Sequence, residues 1–317
     1  MTILLLLVGL GLIVLGADWL VDGASAIARR AGVSEFVIGL TIVGFGTSCP
    51  ELVVSLTGAI QGNADIAIGN VVGSNIFNTL FILGLTALLM PVSMTDANRR
   101  RDIPITLSAS FLLICCGMSY TLFGIGAADC VSRIEGAIFL LIFSGYLWYC
   151  FKFDSKEQAE VEDQKLMNLP LAILAVAAGL AGLIFGGELF VDSATALARS
   201  IGVSDKFIAI TVLAGGTSFP ELATCIVAAA KHKDQLALGN ILGSNVFNIL
   251  LILGCSSIIT PLSFAGMNLA DAAALILSCI MLLLWAYTGR KCRIDRWEGA
   301  LMLLAFALYY YYLFTKL

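Results

Sequence analysis

Apolar residues run along the chain in long blocks that only short polar segments interrupt. A helix that crosses a bilayer needs ~20 mostly apolar residues, and ten blocks are long enough. They cover residues 2–28, 36–61, 66–91, 103–124, 132–152, 169–198, 207–230, 235–261, 269–288 and 296–314. The pattern therefore predicts an all-α membrane protein with ten transmembrane helices.

The composition agrees with a membrane protein. Hydrophobic residues make up 59% of the 317 residues and charged residues 13%, whereas a soluble domain has roughly a quarter charged residues. The net charge is −4, and no basic run is longer than Arg99–Arg101. We therefore expect the lipid bilayer as the main partner, no nucleic acid and no obligate protein partner.

The second half of the chain repeats the first. The first half contains GTSCPEL at 46–52 and GNVVGSNIFNTLFILG at 69–84; the second contains GTSFPEL and GNILGSNVFNILLILG at positions 170 higher. A further motif, RIEGA at 133–137, returns as RWEGA at an offset of 163. The pattern predicts a first five-helix repeat (1–152), a cytoplasmic linker (153–168) and a second five-helix repeat (169–317).

An odd number of spans in each copy predicts that the two repeats are inverted, because the second copy then enters the membrane from the opposite side. With the N-terminus outside, the predicted cytoplasmic segments hold 14 of the 18 Lys and Arg residues. Cytoplasmic loops carry an excess of these residues. We therefore expect both termini outside the cytoplasm.

The GTS-x-PE motif places a carboxylate inside an apolar span in each copy. An ionisable residue within a span indicates a functional site, and in inverted copies Glu51 and Glu221 can meet near the midplane of the membrane. Two carboxylates in a low-dielectric environment repel each other, and a bound cation removes that repulsion. Pro50 has no N–H, so a backbone carbonyl one turn earlier becomes available as a ligand.

Hydroxyl and amide groups accompany each glutamate. On a helix, Ser74 and Asn78 share one face, and so do Ser244 and Asn248. The other four asparagines of these motifs are expected to bridge backbones: Asn70, Asn75, Asn240 and Asn245. Oxygen ligands without His or Cys favour Na⁺ and Ca²⁺ over zinc or copper. Interrupted helices in a repeated membrane protein are typical of a transporter's ion site.

These motifs resemble those of the cation/calcium exchanger superfamily, and specifically the short prokaryotic members of its sodium/calcium exchanger branch. The resemblance covers nearly the whole chain. It implies a secondary-active Na⁺/Ca²⁺ antiporter that works by alternating access in a prokaryotic inner membrane, with Ca²⁺ and Na⁺ as transported ions and no cofactor. It also implies that the first span of each copy slides across the rest to switch access.

The resemblance further implies which residues bind the transported ions. Glu51 and Glu221 would be the central carboxylates, shared by Ca²⁺ and a competing Na⁺. Asn248 stands where some members, including the potassium-dependent branch, have Asp, which limits the site to two negative charges. The complete expected ligand set is Glu51, Glu221, Thr47, Thr217, Ser48, Ser218, Ser74, Ser244, Asn78, Asn248 and the backbone carbonyls of Gly44 and Ala214.

Several alternatives stay open at this point. Protonated glutamates could replace Na⁺, which would make the chain a Ca²⁺/H⁺ antiporter, and the same ligands could line an ion channel. An intramembrane enzyme needs a nucleophile with a base, and the spans contain no such pair, so we expect a protein that is not an enzyme. The sequence leaves undecided the role of a second acidic set, Asp18, Asp22, Glu188 and Asp192.

Overall fold

A computed structural model describes residues 2–153, 167–200, 214–288 and 292–316. Within these ranges the chain is almost entirely helical. Its helices are α1 (Thr2–Ala31), α2 (Glu35–Thr47), α3 (Cys49–Ile60), α4 (Ala64–Leu89), α5 (Ile103–Gly117, preceded by a π-helical turn, Asn98–Asp102), α6 (Ser119–Phe123), α7 (Arg133–Phe153), α8 (Leu169–Ser200), α9 (Ala214–Gly216), α10 (Phe219–Ala230), α11 (Asp234–Ile259), α12 (Leu269–Thr288) and α13 (Arg296–Lys316).

Seven of the described helices are long and apolar enough to cross a membrane, and α2 with α3 makes an eighth if the bent pair is one span. The predicted span 103–124 is divided into α5 and α6, because the chain leaves helical geometry at Met118. Residues 207–213 of the predicted span 207–230 lie outside the described residues. The chain is thus a multi-pass membrane protein, and the count of ten spans stays a prediction.

The chain forms two compact units, and each unit contains segments of both sequence repeats. The first unit comprises Met1–Pro50 and Tyr149–Gly243, and the second comprises Glu51–Trp148 and Ser244–Leu317. The boundaries fall just before one predicted ligand, Glu51, and just before another, Ser244. The division of the chain at residues 153–168 therefore describes the sequence repeat, and most of that linker lies outside the described residues.

In the first unit, α1 and α8 pack closely through small residues. A Cβ atom on Gly9 would meet the backbone of 186–190, one on Gly16 the backbone of 179–183, and one on Gly23 the backbone of 172–176. These contacts show that the two helices run antiparallel. They recur every seven residues, as in left-handed helix packing. Because α8 is the copy of α1, Gly186 is the equivalent of Gly16 and Gly179 the equivalent of Gly9. The contact of Gly16 with Gly179 is therefore equivalent to the contact of Gly186 with Gly9.

The second unit contains two short strand pairs, and each pair is built from both sequence repeats. Strand β1 (Val92–Ser93) pairs with β4 (Arg293–Ile294), and β2 (Cys130–Val131) pairs with β3 (Leu262–Ser263), both antiparallel. Position 92 corresponds to 262 in the repeat, and position 130 corresponds to 293. Each pair therefore joins one strand from each copy, and the two pairs are equivalent to each other.

Candidate functional site

In the first copy, the helix is interrupted at the position where the sequence predicts a break. Helix α2 ends at Thr47, α3 begins at Cys49, and the two are bent by 51°. Ser48 lies between them with φ −85° and ψ 7°, and its N–H donates to the carbonyl of Gly44 over 3.1 Å. Pro50 in the following turn has no N–H to donate to the carbonyl of Gly46. The predicted break in the helix is confirmed.

The second copy repeats this geometry. Helix α9 ends at Gly216, α10 begins at Phe219, and Ser218 between them has φ −94° and ψ 8°. The Ser218 N–H donates to the carbonyl of Gly215 over 3.2 Å. The backbone of Ala214 belongs to α9, and its side chain lies outside the described part. Both copies thus present a broken helix with nearly the same backbone conformation at the serine.

Both glutamates are completely buried. Glu51 and Glu221 each have 0% exposure, and each lies in the first turn of the helix that follows the break. The partial positive charge of a helix N-terminus favours a negative group at this position. Each copy therefore places one buried carboxylate at the start of a helix.

An asparagine fixes the backbone beside each glutamate. The Nδ2 group of Asn70 donates to the carbonyl of Glu51 over 3.2 Å, and the Nδ2 group of Asn240 donates to the carbonyl of Glu221 over 3.4 Å. The predicted bridging role is confirmed for both asparagines.

A second hydrogen-bond partner of each asparagine differs between the copies. Asn70 also donates to Ser55 Oγ over 3.0 Å, and Asn240 donates to Cys225 Sγ over 3.3 Å. Ser55 and Cys225 occupy equivalent positions in the repeat, so the copies keep the same connection with a hydroxyl in one and a thiol in the other.

The first unit brings predicted ligands from both copies into contact. Ser48 donates its hydroxyl to Glu221 Oε1 over 3.0 Å, and Thr47 donates to Asn240 Oδ1 over 3.0 Å. Thr217, the equivalent of Thr47, has a buried hydroxyl without a hydrogen-bond partner among the described residues. Gly44, Thr47, Ser48, Thr217, Ser218 and Glu221 all belong to this unit.

The second unit contains the predicted amide ligands. Asn78 and Asn248 have 0% exposure, and each is the second residue of a π-helical turn, Phe77–Ile82 or Phe247–Ile252. Both have a buried Oδ1 atom without a hydrogen-bond partner among the described residues. One turn earlier lie the buried side chains of Ser74 and Ser244. Glu51 also belongs to this unit, so its pairing with Glu221 stays a prediction.

The acidic set that the sequence leaves undecided divides into two kinds. Asp18 and Asp22 both bind the ammonium of Lys231, each with a carboxylate oxygen 2.7 Å from Nζ. Glu188 and Asp192, their counterparts in the repeat, are exposed. In the first unit, the acidic residues of α1 therefore bind a loop between α10 and α11, which is a structural contact.

Two features of the site have no local signal in the sequence. The π-helical turns at Asn78 and Asn248 add one residue to a helical turn, and the apolar pattern of these segments does not reveal that addition. The hydrogen bond from Asn245 Nδ2 to Thr79 Oγ1, 2.8 Å long, joins residues far apart in the chain. Only the exact recurrence of GSN in both copies indicates that these asparagines have a shared role.

Comparisons with known proteins place the chain in a family. The profile of the sodium/calcium exchanger protein family matches residues 1–152 and 171–315. The chain is 33% identical to the sodium/calcium exchanger MaX1 of Methanosarcina acetivorans, with 98% of each chain covered. It is 38% identical to the inner membrane protein YrbG of Escherichia coli, over 81% of this chain and 79% of the relative.

A solved structure agrees with these sequence relatives. The sodium-calcium exchanger NCX_Mj, soaked with 10 mM Na⁺ and zero Ca²⁺, superposes with a TM-score of 0.82 at 33% identity, covering 97% of this chain and 98% of that chain. The expected resemblance to short prokaryotic exchangers is confirmed, and the chain belongs to the sodium/calcium exchanger protein family, whose members are membrane transporters and not enzymes.

Proposed function

We propose that the chain is a Na⁺/Ca²⁺ antiporter that works by alternating access, with Glu51 and Glu221 together holding the transported cation near the midplane of the membrane. The family supports cation exchange. The observation that carries the proposal is the complete burial of both glutamates at equivalent positions, each directly behind a helix break.

Burial of two carboxylates requires a compensating charge. Removing a carboxylate from water costs several kcal/mol even after the protein relaxes, and two negative charges match one Ca²⁺ ion or a set of Na⁺ ions. In this proposal, Ca²⁺ and Na⁺ compete for the same pair of glutamates. The empty, doubly charged site resists the change of access, and this resistance favours exchange over leak.

The neighbouring ligands have the chemistry that these ions need. Ca²⁺ takes six to eight oxygen ligands, including carboxylates, amide oxygens and backbone carbonyls. We propose that the two glutamates, the amide oxygens and the carbonyls of the two broken helices bind Ca²⁺, and that hydroxyls complete flanking Na⁺ sites. The full proposed set is Glu51, Glu221, Thr47, Thr217, Ser48, Ser218, Ser74, Ser244, Asn78, Asn248, Gly44 and Ala214.

We propose that the protein lies in the inner membrane with both termini outside the cytoplasm. The distribution of Lys and Arg supports this orientation. The strand pairs also support the predicted order of spans. Pair β1–β4 joins two segments that the ten-span prediction places on the cytoplasmic side, and pair β2–β3 joins two segments that it places on the outer side.

Uptake of ⁴⁵Ca²⁺ into proteoliposomes tests the proposal. Vesicles loaded with Na⁺ are diluted into Na⁺, K⁺ or choline, and we expect uptake only when an outward Na⁺ gradient is present. Glu51→Gln and Glu221→Gln each remove one of the two charges, so we expect each to reduce Na⁺-driven uptake by at least about 100-fold, which corresponds to losing roughly 3 kcal/mol of ion binding.

Glu298→Gln is the matched control. Glu298 is also completely buried, but its Oε2 accepts a hydrogen bond from the backbone N–H of Asp295 over 2.7 Å at the start of α13. A glutamine oxygen can accept the same bond, so we expect normal uptake. Uptake that follows a pH gradient and ignores Na⁺ would replace the proposal with proton coupling. Rapid Ca²⁺ flux without any counter-ion would indicate a channel.

A further inference from the structure

Five buried residues of the second unit form one hydrogen-bonded group, which we call the amide network: Asn75, Asn78, Thr79, Asn245 and Asn248. All have at most 1% exposure. The network links the GSN-xx-N segments of the two copies. Asn248 Nδ2 donates to Asn75 Oδ1 over 2.9 Å, and Asn78 Nδ2 donates to Asn245 Oδ1 over 3.3 Å. These two bonds are equivalent under exchange of the copies.

One backbone carbonyl determines the orientation of half of this network. Asn75 Nδ2 donates to the backbone carbonyl of Asn245 over 3.1 Å, and a carbonyl oxygen can only accept. The Asn75 side chain therefore cannot exchange its oxygen and nitrogen without losing this bond. Its Oδ1 must face Asn248, so Asn248 must offer Nδ2 to Asn75.

The consequence reaches the Oδ1 atom of Asn248. Since Nδ2 is directed to Asn75, Oδ1 lies on the opposite branch of the amide, where it is buried and has no partner among the described residues. An amide in the reverse orientation would present N–H groups, which repel a cation. We propose that Asn75 is a positioning residue that makes Asn248 present its oxygen, and not its nitrogen, to the transported ion. This inference rests on the proposed function.

The other half of the network lacks such a fixed reference. Asn245 Nδ2 donates to the hydroxyl of Thr79 over 2.8 Å, and a hydroxyl can donate as well as accept. Asn245 and Asn78 can therefore reverse together while every hydrogen bond between them is kept. The residue equivalent to Thr79 is Ile249, so only the first copy has this hydroxyl. The orientation of Asn248 is determined more strictly than that of Asn78.

A double-mutant cycle between positions 75 and 248 tests the proposal. Asn75→Leu keeps the approximate volume and removes all hydrogen bonding, so the Asn248 amide loses its fixed orientation. We expect the Ca²⁺ concentration for half-maximal uptake to rise about tenfold, as for the loss of one buried hydrogen bond, with a smaller change in the maximal rate. In Asn248→Asp both side-chain oxygens accept, and one of them faces the Oδ1 atom of Asn75 without a proton to share, so adding Asn75→Leu removes a repulsion and should not raise that concentration.

Control variants separate this effect from general damage to the fold. Asn75→Ala repeats the test with a smaller side chain if Asn75→Leu does not fold. Thr86→Val removes another buried polar group of α4, whose hydroxyl donates to the Ile82 carbonyl of its own helix over 2.7 Å. We expect Thr86→Val to leave the half-maximal concentration unchanged.

The possible outcomes are distinct. A similar loss from Asn75→Leu in both backgrounds would show a packing role and overturn the inference, and so would a normal half-maximal concentration in the single variant. Both results would leave Na⁺/Ca²⁺ exchange by the wild-type protein intact. Failure of the wild-type protein to exchange Ca²⁺ for Na⁺ would overturn the proposed function and this inference together.

Discussion

The crossing of α1 and α8 makes a quantitative prediction about one methyl group. A Cβ atom on Gly16 would lie 2.7 Å from the carbonyl oxygen of Gly179 and 2.8 Å from the backbone nitrogen of Leu183. Carbon atoms pack best at about 3.5–4.0 Å, and backbone atoms cannot rotate away. Gly16→Ala must therefore push the two helix backbones apart by several tenths of an ångström.

A second glycine in α1 provides the reference. Gly11 is exposed, and a Cβ atom there would have nothing within 4 Å among the described residues. Both substitutions replace glycine by alanine inside one helix, which gains about 1 kcal/mol in each case. Only Gly16→Ala also has the cost of overpacking, about 1–3 kcal/mol. We expect Gly16→Ala to be less stable than Gly11→Ala by that difference.

This difference is measured as the free energy of unfolding of each purified variant during titration with a denaturing detergent. The rate of ⁴⁵Ca²⁺ exchange then shows whether the loss of stability also reduces transport. Gly186→Ala offers an independent repeat, since its Cβ would lie 2.9 Å from the carbonyl oxygen of Gly9. Equal stabilities for Gly16→Ala and Gly11→Ala would refute the close antiparallel contact between α1 and α8.

Two further predictions concern contacts within the first unit. Lys231→Gln removes the cation shared by Asp18 and Asp22 and should lower the free energy of unfolding by about 1 kcal/mol, a difference that should shrink in about 1 M salt because of screening. Partial burial lowers the pKa of Lys231, but its bonds to the two aspartates outweigh burial and raise that pKa overall. The contribution of Lys231 to stability is therefore complete below the ordinary lysine pKa of about 10.4 and is lost only as the pH rises through the raised value. Cys225→Ser keeps a hydrogen-bond acceptor for Asn240 and should leave ⁴⁵Ca²⁺ exchange within about twofold of wild type. Cys225→Val removes that acceptor and should slow exchange by about tenfold. Equal exchange rates in these two variants would contradict the role of the Asn240 bond.

The sequence predicts the broken helices because the signals are local. Pro50 and Pro220 remove a donor in the turn after each serine, and glycines precede both breaks. The structure places Ser48 and Ser218 in nearly the same backbone conformation. Repetition adds a second kind of information, because a motif that recurs at one offset must form the same local structure twice.

The bond between Asn245 and Thr79 and the contact of Lys231 could not be predicted in the same way. Asn245 bonds to Thr79 across 166 residues of chain, and Lys231 bonds to Asp22 across 209. One residue of each contact has no chemical counterpart in the other copy, since Ile249 stands at the position equivalent to Thr79 and Gln61 at the position equivalent to Lys231. Repetition therefore gives no hint of contacts that belong to one copy alone.

The exchanged strand pairs have a consequence for assembly. Each of the pairs β1–β4 and β2–β3 needs one strand from each half of the chain, so the first half cannot complete either pair before the partner strand of the second half has been synthesised. Reciprocal contacts of this kind define the interface of a two-fold symmetric dimer. In terms of biogenesis, the two halves meet as the subunits of a dimer do, and the covalent linker keeps their local concentration high.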